Sequence, residues 1–209
     1  MPLQDPVALV EHGVFATTFG LSANGSSSVL FHPTSLDARV DIVPVDGLGL
    51  YVDGLRINAR GAGKSRDRGW RGAVGAHGAW WLGDRVGVGA VGEVSGGQDW
   101  NVDGGVRSAE MGRFELTASP SLVFGERGGG AYAWAGPEVS AIARVRGASS
   151  GGGLDWPEPP VHVRATIGGE FVSDDLVGQG ASGEAYARIG AALRAGSTWG
   201  LGVWVGASW

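Results

Sequence analysis

Apolar residues alternate with small or polar residues along most of this chain. In the segment 36–42, apolar side chains at the even positions alternate with Asp37, Arg39 and Asp41. Successive side chains of a β-strand point to opposite faces, so this period of two predicts strands. Comparable alternation predicts about ten strands, near residues 12–22, 36–43, 48–60, 69–82, 85–94, 107–124, 130–146, 160–172, 181–193 and 197–209.

The composition excludes several other classes of protein. Glycine accounts for 40 of the 209 residues, and each glycine inside a helix costs about 1 kcal/mol relative to alanine, which argues against a helical fold. A hydrophobic content of 43% with nine tryptophans excludes a disordered chain. The net charge of −5, without a basic block, predicts no nucleic-acid partner. Because the chain has no cysteine, disulfides and thiolate chemistry are excluded.

The connections between the predicted strands alternate in length. Short turns are predicted at 44–47, 83–85 and 125–130, and longer polar links near 23–35, 61–68, 95–106 and 147–160. Short turns at one rim and long loops at the other are typical of an outer-membrane barrel. Ten strands would require a short turn at 173–180 and a long loop at 194–198, and the sequence has the reverse. Either a strand is missing from the scheme or the last two hairpins are misread, so eight to ten strands are predicted.

The two faces of the predicted strands separate a membrane barrel from a soluble one. Small residues opposite Arg, Glu and Tyr suit a narrow interior filled by ion pairs, with Leu, Val, Phe and Trp facing lipid. On the last strand, Val203 and Val205 are predicted to meet lipid, while Gly202 and Gly206 face the interior. Tryptophans near strand ends, where membrane barrels carry aromatic girdles, are Trp70, Trp80, Trp81, Trp199 and Trp209. A soluble lipocalin-like barrel with its apolar face inside stays open as an alternative.

Two stretches of the sequence carry a family resemblance. In 37–60, a strand is followed by a proline-containing turn and by an aromatic-bearing strand that opens Leu48-Gly49-Leu50-Tyr51. The chain ends on alternating hydrophobic residues and a terminal aromatic, Trp209. In these features the chain resembles the small bacterial outer-membrane β-barrels of the OmpA/OmpX type.

The resemblance implies the fold, the compartment and two partners. The implied fold is all-β, a single antiparallel up-and-down transmembrane-type β-barrel in the bacterial outer membrane. The implied partners are membrane lipid and the barrel-assembly machinery, which would recognise the C-terminal strand. No secretion signal is visible, because the opening residues have neither a positive region nor an apolar run. We expect one barrel domain over 1–209, with 1–10 as a short N-terminal extension.

The expected function is that of an outer-membrane β-barrel with a structural, adhesive or narrow-pore role and no catalysis. A barrel of about eight strands is filled by its own side chains, which disfavours a wide pore. The alternatives are a soluble lipocalin-like ligand-binding barrel and an outer-membrane lipid-modifying enzyme. An enzyme of that kind would draw on the four histidines, His12, His32, His77 and His162.

Residues 99–110 match the twelve-residue calcium-loop pattern. Oxygen ligands at the first, third and fifth positions and a carboxylate at the twelfth would be Asp99, Asn101, Asp103 and Glu110. The preceding residues 94–97 are unsuited to an entering helix, so a polar loop between two strands stays open as the alternative. No other cofactor is expected. Residues 61–65 and 147–151 resemble parts of a phosphate-binding loop and a nucleophile elbow, but neither is followed by a helix, and both are predicted to be surface loops.

Overall fold

The computed structural model describes residues 15–25, 33–45, 47–60, 66–103, 106–107, 111–127, 130–146, 153–155, 161–173, 186–196 and 199–209. Within these ranges the chain forms twelve β-strands: β1 (Phe15–Gly25), β2 (Pro33–Val45), β3 (Leu48–Arg60), β4 (Arg66–Trp81), β5 (Val86–Asp103), β6 (Val106–Arg107), β7 (Met111–Gly125), β8 (Ala131–Arg146), β9 (Gly153–Asp155), β10 (Val161–Ser173), β11 (Tyr186–Ala195) and β12 (Trp199–Ser208). None of the described residues belongs to a helix long and apolar enough to cross a membrane.

Ten long strands pair antiparallel and close into a barrel. Neighbours in the chain are neighbours in the sheet, β1 pairs with β12 through Ala16 opposite Ser208, and β8 pairs with β10 through Ala141 opposite Val161. The short β6 and β9 only extend β5 and β8. Closure pairs the first strand with the last, so no long edge is left open. The predicted up-and-down barrel is confirmed, at the upper end of the predicted strand number.

The last two connections reverse the alternation of lengths, and each of the ten predicted strands has a counterpart among the described residues. Strand β10 ends at Ser173 and β11 begins at Tyr186, whereas only a short connection separates Ala195 from Trp199. In the up-and-down order, the longer of these connections leaves the rim at which β1 begins and β12 ends. At that same rim, the turn from β2 to β3 places Gly47 at a φ of 80°, which glycine adopts without strain.

The polarity of the barrel wall is that of a membrane protein. Val203 and Val205 on β12 are 49% and 55% exposed, while Gly202, which precedes Val203, faces inward and is buried. Exposed apolar side chains occur on every long strand, including Phe19, Leu36, Val52, Val74, Val94, Leu116, Val139, Val163, Ile189 and Val203. The inward positions of the same strands carry acids, arginines and hydroxyls. The predicted orientation of the faces is confirmed, and the lipocalin-like alternative is wrong because it requires an apolar interior.

One of the predicted girdle tryptophans lies inside the barrel. Trp80 is 54% exposed, but the next residue, Trp81, packs inward with its ring centroid 6.1 Å from that of Tyr132. Consecutive side chains of a strand point to opposite faces, so only one of the two can face lipid. Trp70 and Trp209 are exposed as predicted, and the ring of Trp209 contacts Phe15 across the seam between β12 and β1.

Candidate functional site in the barrel interior

Glycines on one strand make room for large interior side chains on the next. Gly49 is paired with His77, and Gly75 with Tyr51. A Cβ atom added at either glycine would lie within 3 Å of the ring opposite, so the ring covers the glycine directly. The same arrangement occurs at three further pairs, Gly20 with Asp37, Gly168 with Trp134, and Gly190 with Trp204. These five glycines therefore serve to fit rings and charges into a narrow interior.

Strands β2 to β5 carry an interior group rich in carboxylates, here called the acidic group: Asp37, Arg39, Asp41, Asp53 and Glu93. Arg39 Nε donates to Asp41 Oδ1 at 2.8 Å, and its guanidinium lies 3.8 Å from the centre of the Tyr51 ring. Tyr51 Oη donates to Glu93 Oε2 at 2.8 Å. His77 Nε2 lies 3.3 Å from Asp41 Oδ1. Arg39, the one arginine of this group, therefore contacts the carboxylate of Asp41 and the ring of Tyr51.

Asp53 belongs to the same group but has no hydrogen bond to any residue that the structure describes. Its side chain points inward and the residue is only 3% exposed. Among the described residues, neither Asp53 oxygen has a hydrogen-bond partner, and Oδ1 of Asp37 also has none. Asp53 interacts electrostatically with the like charges of Asp37 and Glu93 and with the positive charge of Arg39. A buried carboxylate without hydrogen bonds is costly, so Asp53 depends on electrostatic attraction to be accommodated in the interior.

Strands β4, β7, β8, β10 and β11 carry a second interior group, here called the paired group: Arg71, Glu115, Glu138, Arg164 and Arg194. Arg164 Nη2 lies 2.6 Å from Glu138 Oε1 and 3.5 Å from Glu115 Oε1. Arg194 Nη2 reaches the other oxygen of Glu138 at 2.5 Å, and Arg71 lies 3.8 Å from Glu115. Each carboxylate of the paired group therefore meets two arginines.

A third contact joins charge to an aromatic side chain. Glu170 on β10 accepts from Arg188 Nε at 2.6 Å and from the indole nitrogen of Trp204 at 2.7 Å. Trp204 in turn stacks at 5.9 Å, between ring centroids, on Trp134. Together with Tyr132, these rings form part of a buried apolar cluster whose further members are Ala79, Val123, Val172 and Ala192. The interior is therefore filled by rings as well as by ion pairs.

A small cavity remains between the acidic group and the Glu170 contact. Its lining includes Asp37, Asp53, Glu170, Arg188 and Trp204. The cavity measures about 30 Å³, which is room for one or two water molecules. Space on this scale is far below what a hydrated organic solute requires.

The structure describes only part of the predicted calcium loop. Asp99, Asn101 and Asp103 lie on β5, in extended backbone that pairs with β4 and, at Asp103, with β6. Glu110 lies outside the described residues. Within the described part of the chain, no three His, Asp or Glu side chains are grouped to hold a metal ion. Calcium binding by 99–110 stays a prediction.

The histidines and the two loop motifs are also placed only in part. His77 is on β4 and lies against Asp41 of the acidic group. His162 is on β10, which is not a neighbour of β4 in the sheet. His12, His32 and the segments 61–65 and 147–151 lie outside the described residues. The interior ion pairs were not predicted individually, although the inward parity of each strand already marks the residues that form them.

The sequence matches no protein-family model and no curated protein. The fold is similar to that of Neisserial surface protein A (NspA), with a TM-score of 0.50 and 13% identity over 93% of this chain and 97% of that one. Two further structures are Ail, the attachment invasion locus protein of Yersinia pestis (TM-score 0.40, 6% identity, 94% and 97% covered), and the KdgM porin in complex with disordered oligogalacturonate (TM-score 0.34, 8% identity, 93% and 99% covered). The likeness to NspA is one of fold: a closed, up-and-down β-barrel of the outer-membrane type.

Proposed function

We propose that this chain is a non-catalytic outer-membrane barrel with a structural or adhesive role at the cell surface. The observation that carries the proposal is the combination of an apolar outer wall with an interior that holds buried rings and ion pairs along the described strands. An apolar wall on all ten long strands requires lipid around it, because water would leave that surface unfavourably hydrated. A filled interior leaves the rims as the places where the barrel meets other molecules.

Two further points support a surface role. NspA, whose fold is similar, is a surface protein. One rim of the barrel holds the start of β1 and the end of β12. At the opposite rim, the connections from β5 to β7 and from β8 to β10 are long enough to include the extra strands β6 and β9. Chain extended beyond the barrel in this way provides contact area without altering the membrane wall. Assembly would proceed through the C-terminal strand, β12, which closes the barrel by pairing with β1.

The membrane part of the proposal is tested by refolding the urea-unfolded chain into detergent micelles or liposomes. Val203→Arg places a charge in hydrocarbon, and we expect it to cost about 2–4 kcal/mol of folding free energy in liposomes. The measurement is the urea dependence of tryptophan fluorescence. Val203→Leu is the matched control and should be nearly neutral. A wild-type chain that is folded and monodisperse in plain buffer would contradict the proposal.

The closed interior is tested by conductance. In planar lipid bilayers we expect the refolded barrel to produce no sustained channel openings, because rings and ion pairs fill the lumen. Large, stable, single-channel steps would contradict a scaffold and favour the pore role.

Binding of the refolded barrel to host-cell matrix proteins, compared with a barrel whose 147–160 connection is shortened, separates adhesion from a purely structural role.

A further inference from the structure

Two prolines interrupt the hydrogen-bonded ladder between β7 and β8. Among the described residues of these two strands, 119–121 of β7 and 136–138 of β8 are not matched with each other, whereas the pairs on both sides of them are. The register on both sides of this gap places Pro120 opposite Pro137. The register shifts of the other described ladders lie near the ends of β1 and β2. The gap between β7 and β8, in contrast, lies in the middle of both strands.

Both prolines turn their missing donors toward the gap. Pro120 is matched with Ala90 of β5, and Pro137 with Ala165 of β10. Because proline has no N–H, these two matches are of the antiparallel type in which the facing residues exchange no hydrogen bonds. A residue of an antiparallel strand directs its N–H and its C=O to the same neighbouring strand. Each proline therefore directs its carbonyl into the gap, where the opposite proline has no N–H to donate.

Side chains next to the prolines replace only part of the missing hydrogen bonds. Ser119 Oγ donates to the carbonyl of Pro137 at 3.3 Å, whereas Ser121 Oγ has no hydrogen-bond partner among the described residues. A Cβ atom added at Gly136 would lie within 3 Å of the carbonyl oxygen of Pro120, so this carbonyl lies against the glycine. Both prolines are exposed on the outer wall. Backbone groups without partners are especially costly in hydrocarbon, so the ladder is weak at this point of the wall.

The outer wall also has little packing across this part of β8. The outward residues of β8 beside the gap are Ala133, Ala135 and Pro137. A groove of about 500 Å³ adjoins them, and its lining includes Ala135, Pro137 and Ala165. Small side chains make few van der Waals contacts across a seam, so little dispersion energy holds β8 in place there.

We propose that the barrel wall opens locally between β7 and β8 at Pro120 and Pro137, while the other ladders stay closed. The opening gives the interior a lateral route to the membrane that bypasses both rims. It exposes Glu138, which follows Pro137 and is 1% exposed in the closed wall. The proposal goes beyond the surface role and does not rest on it, because a wall that never opens would serve that role equally well.

The first experiment measures amide hydrogen exchange, residue by residue, in the refolded barrel in micelles. The amides that border the gap are those of Ala118, Leu122, Ala135 and Val139. We expect them to exchange roughly ten times faster than the amides in the middle of the β4–β5 ladder, whose pairing is continuous. Equal exchange rates in the two ladders would overturn the proposal.

A single substitution tests whether the prolines cause the opening. Pro137→Ala supplies an N–H opposite the carbonyl of Pro120, so the four amides that border the gap should exchange several times more slowly in this variant. Pro44→Ala, near the turn end of β2, is the matched control and should leave these four rates unchanged. Refolding of both variants is scored separately by tryptophan fluorescence. Exchange that is as fast in Pro137→Ala as in the wild type would contradict the proposal.

The second experiment locks the seam with a disulfide. The chain has no cysteine, so no other thiol competes with a pair introduced as Ala118→Cys and Val139→Cys. These positions are directly paired, at a Cα separation that a disulfide can span. Oxidation should slow the exchange of the other amides that border the gap, and reduction should restore it. A control pair in the β4–β5 ladder, Ala73→Cys with Ser95→Cys, should leave those rates unchanged. Equal exchange in the oxidised and reduced forms of the first pair would refute a local opening.

Discussion

The two sides of the barrel interior differ in the partners that their buried carboxylates have. On the side formed mainly by β7 to β11, every carboxylate of the paired group meets two arginines, and Glu138 is held between Arg164 and Arg194. On the side formed by β2 to β5, Arg39 bonds to one of the four carboxylates of the acidic group, and Asp53 has no hydrogen bond to any described residue. The first side makes specific ion pairs, whereas on the second side the described residues give Asp53 electrostatic interactions without a hydrogen bond.

The same type of substitution is therefore expected to change the stability of the barrel in opposite directions on the two sides. Changing a carboxylate to its amide removes a needed counter-charge in the paired group. The same change at Asp53 in the acidic group removes a charge that has no hydrogen bond to the described residues. Removing one partner of a buried pair is strongly destabilising, while removing an unpaired buried charge is not.

Glu138→Gln is expected to have the largest effect. The residue is 1% exposed and lies against two guanidinium groups, both of which would keep their charge in the variant. We expect the free energy of unfolding to fall by about 3–5 kcal/mol, measured by urea titration in micelles. Glu126→Gln, on an exposed turn, is the control and should change nothing measurable. A loss equal to that of the control would show that the paired group is not a stabilising network.

Gly75→Ala tests a feature that both sides share. The added Cβ would meet the Tyr51 ring, which is held by Glu93 on one side and by Arg39 on the other. We expect a loss of about 1–3 kcal/mol from overpacking, again by urea titration. Gly92→Ala is the matched control on the adjacent strand, because nothing lies within 4 Å of its added Cβ.

The paired side offers the corresponding change, Gly190→Ala, where the added Cβ meets the Trp204 ring. Displacing that ring would disturb its hydrogen bond to Glu170. A loss similar to that of Gly75→Ala would show that both sides depend on glycine–ring pairs. If Gly75→Ala proved as neutral as Gly92→Ala, Tyr51 would be free to move and the acidic group would be less ordered than described.

Asp53→Asn is expected to have the smallest effect, and of the opposite sign to Glu138→Gln. Removing the charge of Asp53, whose oxygens have no hydrogen bond among the described residues, should leave the stability unchanged or raise it by up to about 1 kcal/mol. The measurement is the same urea titration, with Glu138→Gln in parallel. A large loss for Asp53→Asn would erase the contrast between the two sides and would indicate that the attraction between Asp53 and Arg39 outweighs the cost of burying the carboxylate.

The sequence predicted the barrel well because alternation of side chains is a local property. The parity of β2 alone assigns Leu36 to the lipid face and Asp37 to the interior, and the structure agrees. Trp81 was misassigned because proximity to a strand end was considered instead of parity. The strand number stayed open for a different reason: the length of a connection is only loosely tied to the rim from which it leaves.

The interior contacts were beyond prediction because they join strands far apart in the chain. Arg164 meets Glu115 across 49 residues, and the sequence alone offers no reason to prefer that partner to any other inward acid. Tyr51 and Glu93 are likewise brought together by the positions of β3 and β5 around the barrel. The calcium pattern of 99–110 is a local motif, in contrast to these contacts between distant strands. A local motif does not by itself specify the backbone conformation that would present its ligands.

The sequence by itself determined that this chain forms a closed sheet with an apolar exterior and a crowded polar interior. Side-chain parity, glycine content and the apolar stretches are all properties of short segments, and each acts wherever the segment is placed. Only the tertiary structure decided which inward charges are paired. Closure of ten strands fixes the circumference and the register, which together bring two arginines to Glu138 and leave Asp53 without a hydrogen bond to any described residue.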